Sequence, residues 1–380
     1  MGLWRGRAAG QPEAHKGSSY ADRMGGRYAL SLLCGILLLL LSACGGTIQT
    51  NMPAPAPTAI PVNGFGSAAN HPHSILAFPD KVILLATHYG LFYSSDTGAT
   101  WTMVAAGPNQ PMEGLMTTSL TSSSLNPKRV YVLTAPAVVG AKGTLGIYTS
   151  QDQGKSWQLA SSASSLTADN HIYLAQAGND NPDEVYVYLQ ALGPLGLKVS
   201  MDDGQHFTTT GNLPFGNLIS LLALPNAPGQ LLAGDSSDGM ARSTDGGLHW
   251  QKMPGVSGGI YSIISAGPNK PIYATGDSGV YASHDGGKSF QLVYSGASYT
   301  SFAVSPVQPQ VLYGTTGTGV YHSSDGGHTW SLLPHIKGNL FGLAADPTDA
   351  SQVYLSLSYP TELYRFSQAS SGWSSLTPKP

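Results

Sequence analysis

Glu113 and Asp169 are the two carboxylates whose setting would suit glycoside cleavage. That reaction needs a general acid and a base or nucleophile held several ångströms apart. Asp235, Asp238 and Asp277 form a second acidic group, in the runs Asp-Ser-Ser-Asp-Gly and Asp-Ser-Gly. Such acids can hold a hard cation such as Ca²⁺, although the same runs are ordinary turn sequences. His71, His73, His88, His171, Tyr261, Tyr299 and Glu362 complete the groups able to contact a ligand. The histidines have no His-x-x-x-His spacing on one element, so no metal site is expected, and no cofactor. No glycine-rich phosphate loop precedes a helix, and no Gly-x-Ser-x-Gly nucleophile elbow is present.

The elements that must position these groups are marked by an octapeptide that recurs six times: SSDTGATW, SQDQGKSW, SMDDGQHF, STDGGLHW, SHDGGKSF and SSDGGHTW. Each reads Ser-x-Asp-x-Gly-x-x-aromatic, with the acids Asp96, Asp152, Asp202, Asp245, Asp285 and Asp325. The spacing between them tightens from 56 to 50, 43, 40 and 40 residues. A repeat of that size is an array of one supersecondary unit. Around each box lie short runs rich in Val, Tyr and Phe, split by Gly, Pro and Asp, which predict four strands per unit. The box itself predicts a turn between the third and fourth strands. Its Asp should accept backbone N–H groups of that turn, its Gly should supply a positive φ, and its Trp or Phe should fill space between strands.

A worn seventh unit covers Val353–Leu376, with Ala369 at the Asp position and Trp373 one residue early. First strands are expected near Ser74, Leu115, Ile172, Leu218, Ile260, Thr300 and Leu340. The reading is an all-β chain: a seven-bladed β-propeller of four-stranded repeats over residues 67–380, closing as a monomeric ring because one unit alone cannot bury its faces. Residues 58–62 could add an outer strand beside the seventh unit. The boxes belong on one face. The first-strand entrances and the turns between second and third strands belong on the other, and that face carries the ligand candidates. Glu362 stands where other units have Gly.

The boxes resemble the Asp-box, or BNR, repeat family over about Ser74–Leu376. Sialidases, some endo-glucanases, sortilin-type receptors and the photosystem II assembly factor are similar in this motif. The resemblance implies the propeller but not one function. Sialidases use three arginines for a substrate carboxylate. Beyond residue 43 this chain has only Arg129, Arg242 and Arg365, two of them at a variable strand position, and no Phe/Tyr-Arg-Ile-Pro motif. The assembly factor is similar in build, but its arginine-rich patch has no counterpart here. All five tryptophans beyond residue 43 belong to box positions, which leaves none as a sugar-stacking platform.

Arg27 precedes an apolar run, Ala29–Leu41, that ends in Leu41-Ser42-Ala43-Cys44. This resembles the lipobox of bacterial lipoproteins. The resemblance implies that residues 1–43 are a signal peptide, with Met24 a plausible true start, and that Cys44 is lipidated. A run of 13 residues is short for a membrane span. Residues 44–66, rich in Pro, Ala and Thr, read as a tether. Beyond residue 43 the net charge is −6 with no basic stripe, which argues against nucleic-acid binding. The expected role is a lipid-anchored, extracytoplasmic, non-catalytic scaffold. It would sit at the outer membrane or the outer face of the plasma membrane and bind an envelope protein or glycan. The alternative is a glycoside hydrolase using the carboxylates above.

Overall fold

A computed structural model describes Phe65 and residues 69–377, except Val139 and Ala168. Among the described residues, 28 strands form seven four-stranded antiparallel sheets, each with its strands in chain order from first to fourth. The first strands are β1 (Pro72–Ala77), β5 (Leu115–Ser122), β9 (Leu174–Ala177), β13 (Leu218–Ala223), β17 (Ile260–Ser265), β21 (Ser301–Val304) and β25 (Asn339–Ala345). Each touches the first strand of the next sheet, and β25 touches β1. The sheets are therefore blades of a closed seven-bladed β-propeller. Among the described residues, helix is confined to one turn at Ala163–Leu166 and a 3₁₀ segment at Gln190–Leu195. Among the described residues no helix is long and apolar enough to cross a membrane. The signal region, Cys44 and residues 58–62 lie outside the described residues.

The second strands are the most buried parts of the blades. Ile83–Thr87, Val185–Tyr188, Leu231–Asp235 and Ile272–Gly276 are buried along their whole length. A strand covered on both faces reads as a continuous apolar run, and these sequences do. Hydroxyls seal the seams between blades. Thr117 Oγ1 bridges the N–H of Thr87 and the carbonyl of Gly90 (3.2 and 3.0 Å). Ser220 Oγ donates to Ile260 O (2.8 Å), and Ser301 Oγ accepts from Leu343 N (3.0 Å). Arg129 joins blade 2 to blade 3 through Asp183 (2.6 Å) and Asp203 (2.5 Å).

In every box the Ser hydroxyl accepts the Gly N–H at 2.8–2.9 Å. It donates to Asp Oδ1 at 2.8–2.9 Å. The same Oδ1 accepts the backbone N–H four residues on at 2.8–3.0 Å. The box glycines have φ between +76° and +92°. Gly154 also lies against the neighbouring blade, where a Cβ would come within 2.7 Å of Leu84. Four box tryptophans donate Nε1–H to the box Gly carbonyl at 2.9–3.0 Å. The box is thus a turn with an apolar peg. The sequence reading missed its seventh position. Thr100, Ser156, His206, His249, Ser289 and Thr329 each place a side-chain donor on Asp Oδ2, at 2.6–2.7 Å.

The seventh blade has four strands of its own, ending with Gly372–Ser375. It lacks the box, and Trp373 donates instead to Pro334 O (2.8 Å). At the closure seam Trp101 Nε1 reaches Leu376 O (3.0 Å). Phe65 packs on Phe92 and Trp101, with ring centroids 4.8 and 5.5 Å away.

The His206 ring is the first cause holding Asp202 at about 2, and the backbone N–H of His249 does the same for Asp245, also at about 2. Both values lie below the ordinary aspartate value of about 3.9. Between those limits the unfolded chain binds more protons, so these carboxylates stabilise the fold above pH ~4, and the effect is lost as pH falls through about 2. Urea midpoints should drop across that window. The Asp202→Asn, Asp245→Asn double variant should show a shallower drop, which an equilibrium denaturation series at stepped pH measures.

Candidate functional site

Antiparallel order puts the first-strand entrances and the second-to-third-strand turns on one face, opposite the boxes. The candidates on that face fall into three kinds of setting.

Most of the carboxylates are committed to their own loops. Glu113 Oε2 accepts Asn109 N (2.8 Å), and Oε1 meets Lys142 Nζ (3.0 Å). The Asn109 N–H, then Lys142, hold it below the usual glutamate range. Asp169 accepts from Thr167 Oγ1 (2.6 Å) and His171 N (3.2 Å), and the Thr167 hydroxyl is the first cause of its lowered pKa. A catalytic acid needs the opposite shift. Asp235 is 2% exposed. Its carboxylate caps a turn, taking the N–H groups of Asn217 (2.9 Å), Ser237 (2.8 Å) and Asp238 (2.9 Å). Asp238 pairs with Lys252 (2.5 Å), and Asp277 accepts Gly259 N (2.7 Å) and the Tyr261 hydroxyl. These three acids therefore spend their oxygens on separate partners and do not assemble the cation site that their spacing allowed. Glu362 opens the third strand of blade 7 and accepts from Tyr364 OH (3.1 Å).

Tyr299 corrects the sequence reading. It is not a surface contact residue: it is fully buried and packs on Trp330, with centroids 4.5 Å apart. Gly314 makes the room, since a Cβ there would lie 2.6 Å from the Tyr299 ring. His171 stays half-exposed beside Tyr173 (6.4 Å).

The third setting was not expected. His71 precedes β1, His73 lies within it, and His88 sits in the turn after the second strand. One ring nitrogen from each lies within 4.8 Å of the others. The register explains why. β1 pairs Pro72 with Thr87, and an irregularity between Pro72 and Ser74 makes His73 the bulged residue. A bulge bends the strand and re-aims its side chain. The N–H of His88 bonds His71 O (2.9 Å), and that of Tyr89 bonds Asn70 Oδ1 (3.1 Å). The two ends of the site are thereby clamped together. Tyr359 of blade 7 covers His71, with centroids 4.7 Å apart and planes tilted by 34°.

Burial, then the neighbouring imidazoles, pushes His73 down to about 3. Burial is also the first cause that lowers His71 and His88. Burial thus favours the neutral form of all three rings. His71 Nδ1, His73 Nε2 and His88 Nδ1 are buried with no hydrogen-bond partner. An unsatisfied buried polar atom costs about 1–3 kcal/mol. His-x-His at a strand entrance was the available signal. It was missed because the third histidine lies 15 residues on, across a hairpin whose register the sequence did not show.

No protein-family model matches the chain, and no curated protein matches it in sequence. Among solved structures, it resembles a GH74 enzyme from Niastella koreensis (TM-score 0.63, 17% identity, 80% of this chain and 53% of that one). It also resembles YCF48 bound to a D1 peptide (TM-score 0.57, 14% identity, 83% and 96%). A third is the Swd1 β-propeller domain of Myceliophteria thermophila (TM-score 0.56, 11% identity, 78% and 97%). The chain spans about half the length of the GH74 enzyme. At these identities the likeness establishes the fold alone, and the fold is shared by enzymes and non-enzymes.

Asp235→Ala should lower stability by about 2–3 kcal/mol, because three backbone N–H groups lose their acceptor. Asp238→Asn, at the exposed lysine pair, should change it far less. Urea unfolding of the two variants beside the parent measures the difference.

Proposed function

We propose that the chain is a non-catalytic binding scaffold, held outside the cytoplasm by a lipid on Cys44. An envelope protein or glycan is bound on the face of strand entrances. The observation that carries this reading is the state of Glu113 and Asp169. Both carboxylates are stabilised as anions by donors of their own loops. Neither is prepared to give a proton to a leaving group. Asp235 and Asp277, the next candidates, are acceptors in turn structure. YCF48 offers a pattern for the non-catalytic reading, as a propeller of similar build solved with a peptide.

The rival reading is a glycoside hydrolase, and turnover separates the two. The full-length chain in detergent should release no product from a panel of polysaccharides and sialosides. A photoreactive residue in place of His171 should cross-link to one envelope component, and one in place of Leu292, exposed on the fourth strand of blade 5 (Gln291–Tyr294), should not. Turnover that disappears in the Glu113→Gln, Asp169→Asn double variant would replace the scaffold reading with the hydrolase.

Cys44 is tested separately. Cells fed an alkyne-tagged fatty acid should label the parent and Cys34→Ala, at the chain's other cysteine within the apolar run, but not Cys44→Ala. Label retained in Cys44→Ala would remove the lipid anchor from the proposal.

A further inference from the structure

The three histidines share a backbone arrangement that recurs in other blades. In blade 4 the equivalent positions are Asn217, Ile219 and Ser236. In blade 5 they are Gly259, Tyr261 and Asp277. Each first strand has the same irregularity, between Leu218 and Ser220 and between Ile260 and Ser262. Each has the same backbone clamp, Ser236 N to Asn217 O (3.1 Å) and Asp277 N to Gly259 O (3.0 Å). In both blades two of the three side chains meet. Asn217 Nδ2 donates to Ser236 Oγ (2.8 Å), and the Tyr261 hydroxyl donates to Asp277. Two of the three positions are thus joined by a hydrogen bond in each of these blades. Blade 1 fills all three with imidazole, and no hydrogen bond joins the converging nitrogens.

We propose that His71, His73 and His88 bind one Zn²⁺ ion, with His71 Nδ1, His73 Nε2 and His88 Nδ1 as donors. Facing lone pairs cannot bond one another, and an N–H···N bond would join only two of the three rings, whereas a cation takes a lone pair from all three at once. Imidazole suits Zn²⁺, which takes three protein ligands and leaves a fourth position for water or an incoming group. The second nitrogen of a metal-bound histidine commonly meets a backbone carbonyl, and the rings of His71 and His88 contact the carbonyls of Ala69 and Ala137. Ring centroids lie 4.6 Å (His71–His73), 4.9 Å (His71–His88) and 6.3 Å (His73–His88) apart, and side-chain rotation would have to draw the three nitrogens, within 4.8 Å of one another, onto Zn–N distances of about 2.0–2.1 Å. All three ligands belong to blade 1, and Tyr359 of blade 7 walls one side. The ion would therefore sit at the closure seam on the face of strand entrances.

The test uses the full-length chain in detergent, without a polyhistidine tag, stripped with EDTA and titrated with ZnCl₂ by calorimetry. One Zn²⁺ per chain is expected, with a Kd of about micromolar or tighter. His73→Gln and His88→Gln should each weaken binding about 100-fold or more. Circular dichroism confirms that the variants are folded, and X-ray absorption of the parent should show a first shell of nitrogen or oxygen at about 2.0 Å. The thermal midpoint of the parent should rise with Zn²⁺ and fall back with EDTA, independently of any variant. Millimolar binding by the parent overturns the proposal. So does equal Zn²⁺ affinity in the parent and a folded His71→Gln, His73→Gln, His88→Gln variant, because exposed histidines such as His206 and His249 would then be the ligands.

Discussion

The rest of this structure depends on a carboxylate that accepts the N–H groups of its own turn. In each box, Asp closes the hairpin between third and fourth strands, and Ser links it to a glycine at positive φ. A short outer strand of two residues, such as Thr208–Thr209, has little pairing of its own. The fixed turn and the aromatic peg hold it in register where ladder bonds alone would be too few. At Gly98, Gly154 and Gly287 the glycine serves a second purpose, because a Cβ there would come within 2.7–3.0 Å of a side chain of the adjacent blade. One local motif therefore sets both the blade edge and the contact between blades.

That commitment divides the molecule. Six acids are used as turn acceptors on the box face, so their side chains are not free for a reacting group. The opposite face is less uniform. In blades 1, 4 and 5 its entrances and turns share a backbone geometry but carry different side chains. Asn217 and Ser236, Tyr261 and Asp277, and the three histidines of blade 1 are different chemical fillings of one frame. Repetition supplies the geometry, and divergence at three positions per blade supplies the chemistry.

The fold was legible because its signals are local. The box is eight contiguous residues, and Leu115, Leu218 and Ile260 open first strands as expected from the runs they begin. The site was less legible because its signals are not local. Tyr299 stands at a strand entrance, as exposed residues do, but Gly314 across the blade admits its ring to the core. Asp235 sits in a run that reads as a surface turn, yet its carboxylate is the buried acceptor that makes the turn. His73 and His88 are neighbours only because a bulge sets the register of β1 against the second strand. Alternation cannot show such a shift, because one extra residue changes which side chains share a face.

The closure seam follows the same logic. The seventh unit has lost the box, so its Trp373 takes Pro334 O instead of a box glycine. The first blade supplies what the worn seventh lacks. Trp101, from its own box, reaches across to Leu376, and Phe65 backs the indole. On the far side of the same blade pair, Tyr359 lies over His71. Blades 1 and 7 are therefore joined by aromatic contacts at both faces, as well as by β25 against β1. Among the described residues no ladder of hydrogen bonds runs from one blade to the next, at this seam or at any other. Side-chain packing must then hold the blades together, and at this seam the Tyr359 ring against the imidazole of His71 is part of it.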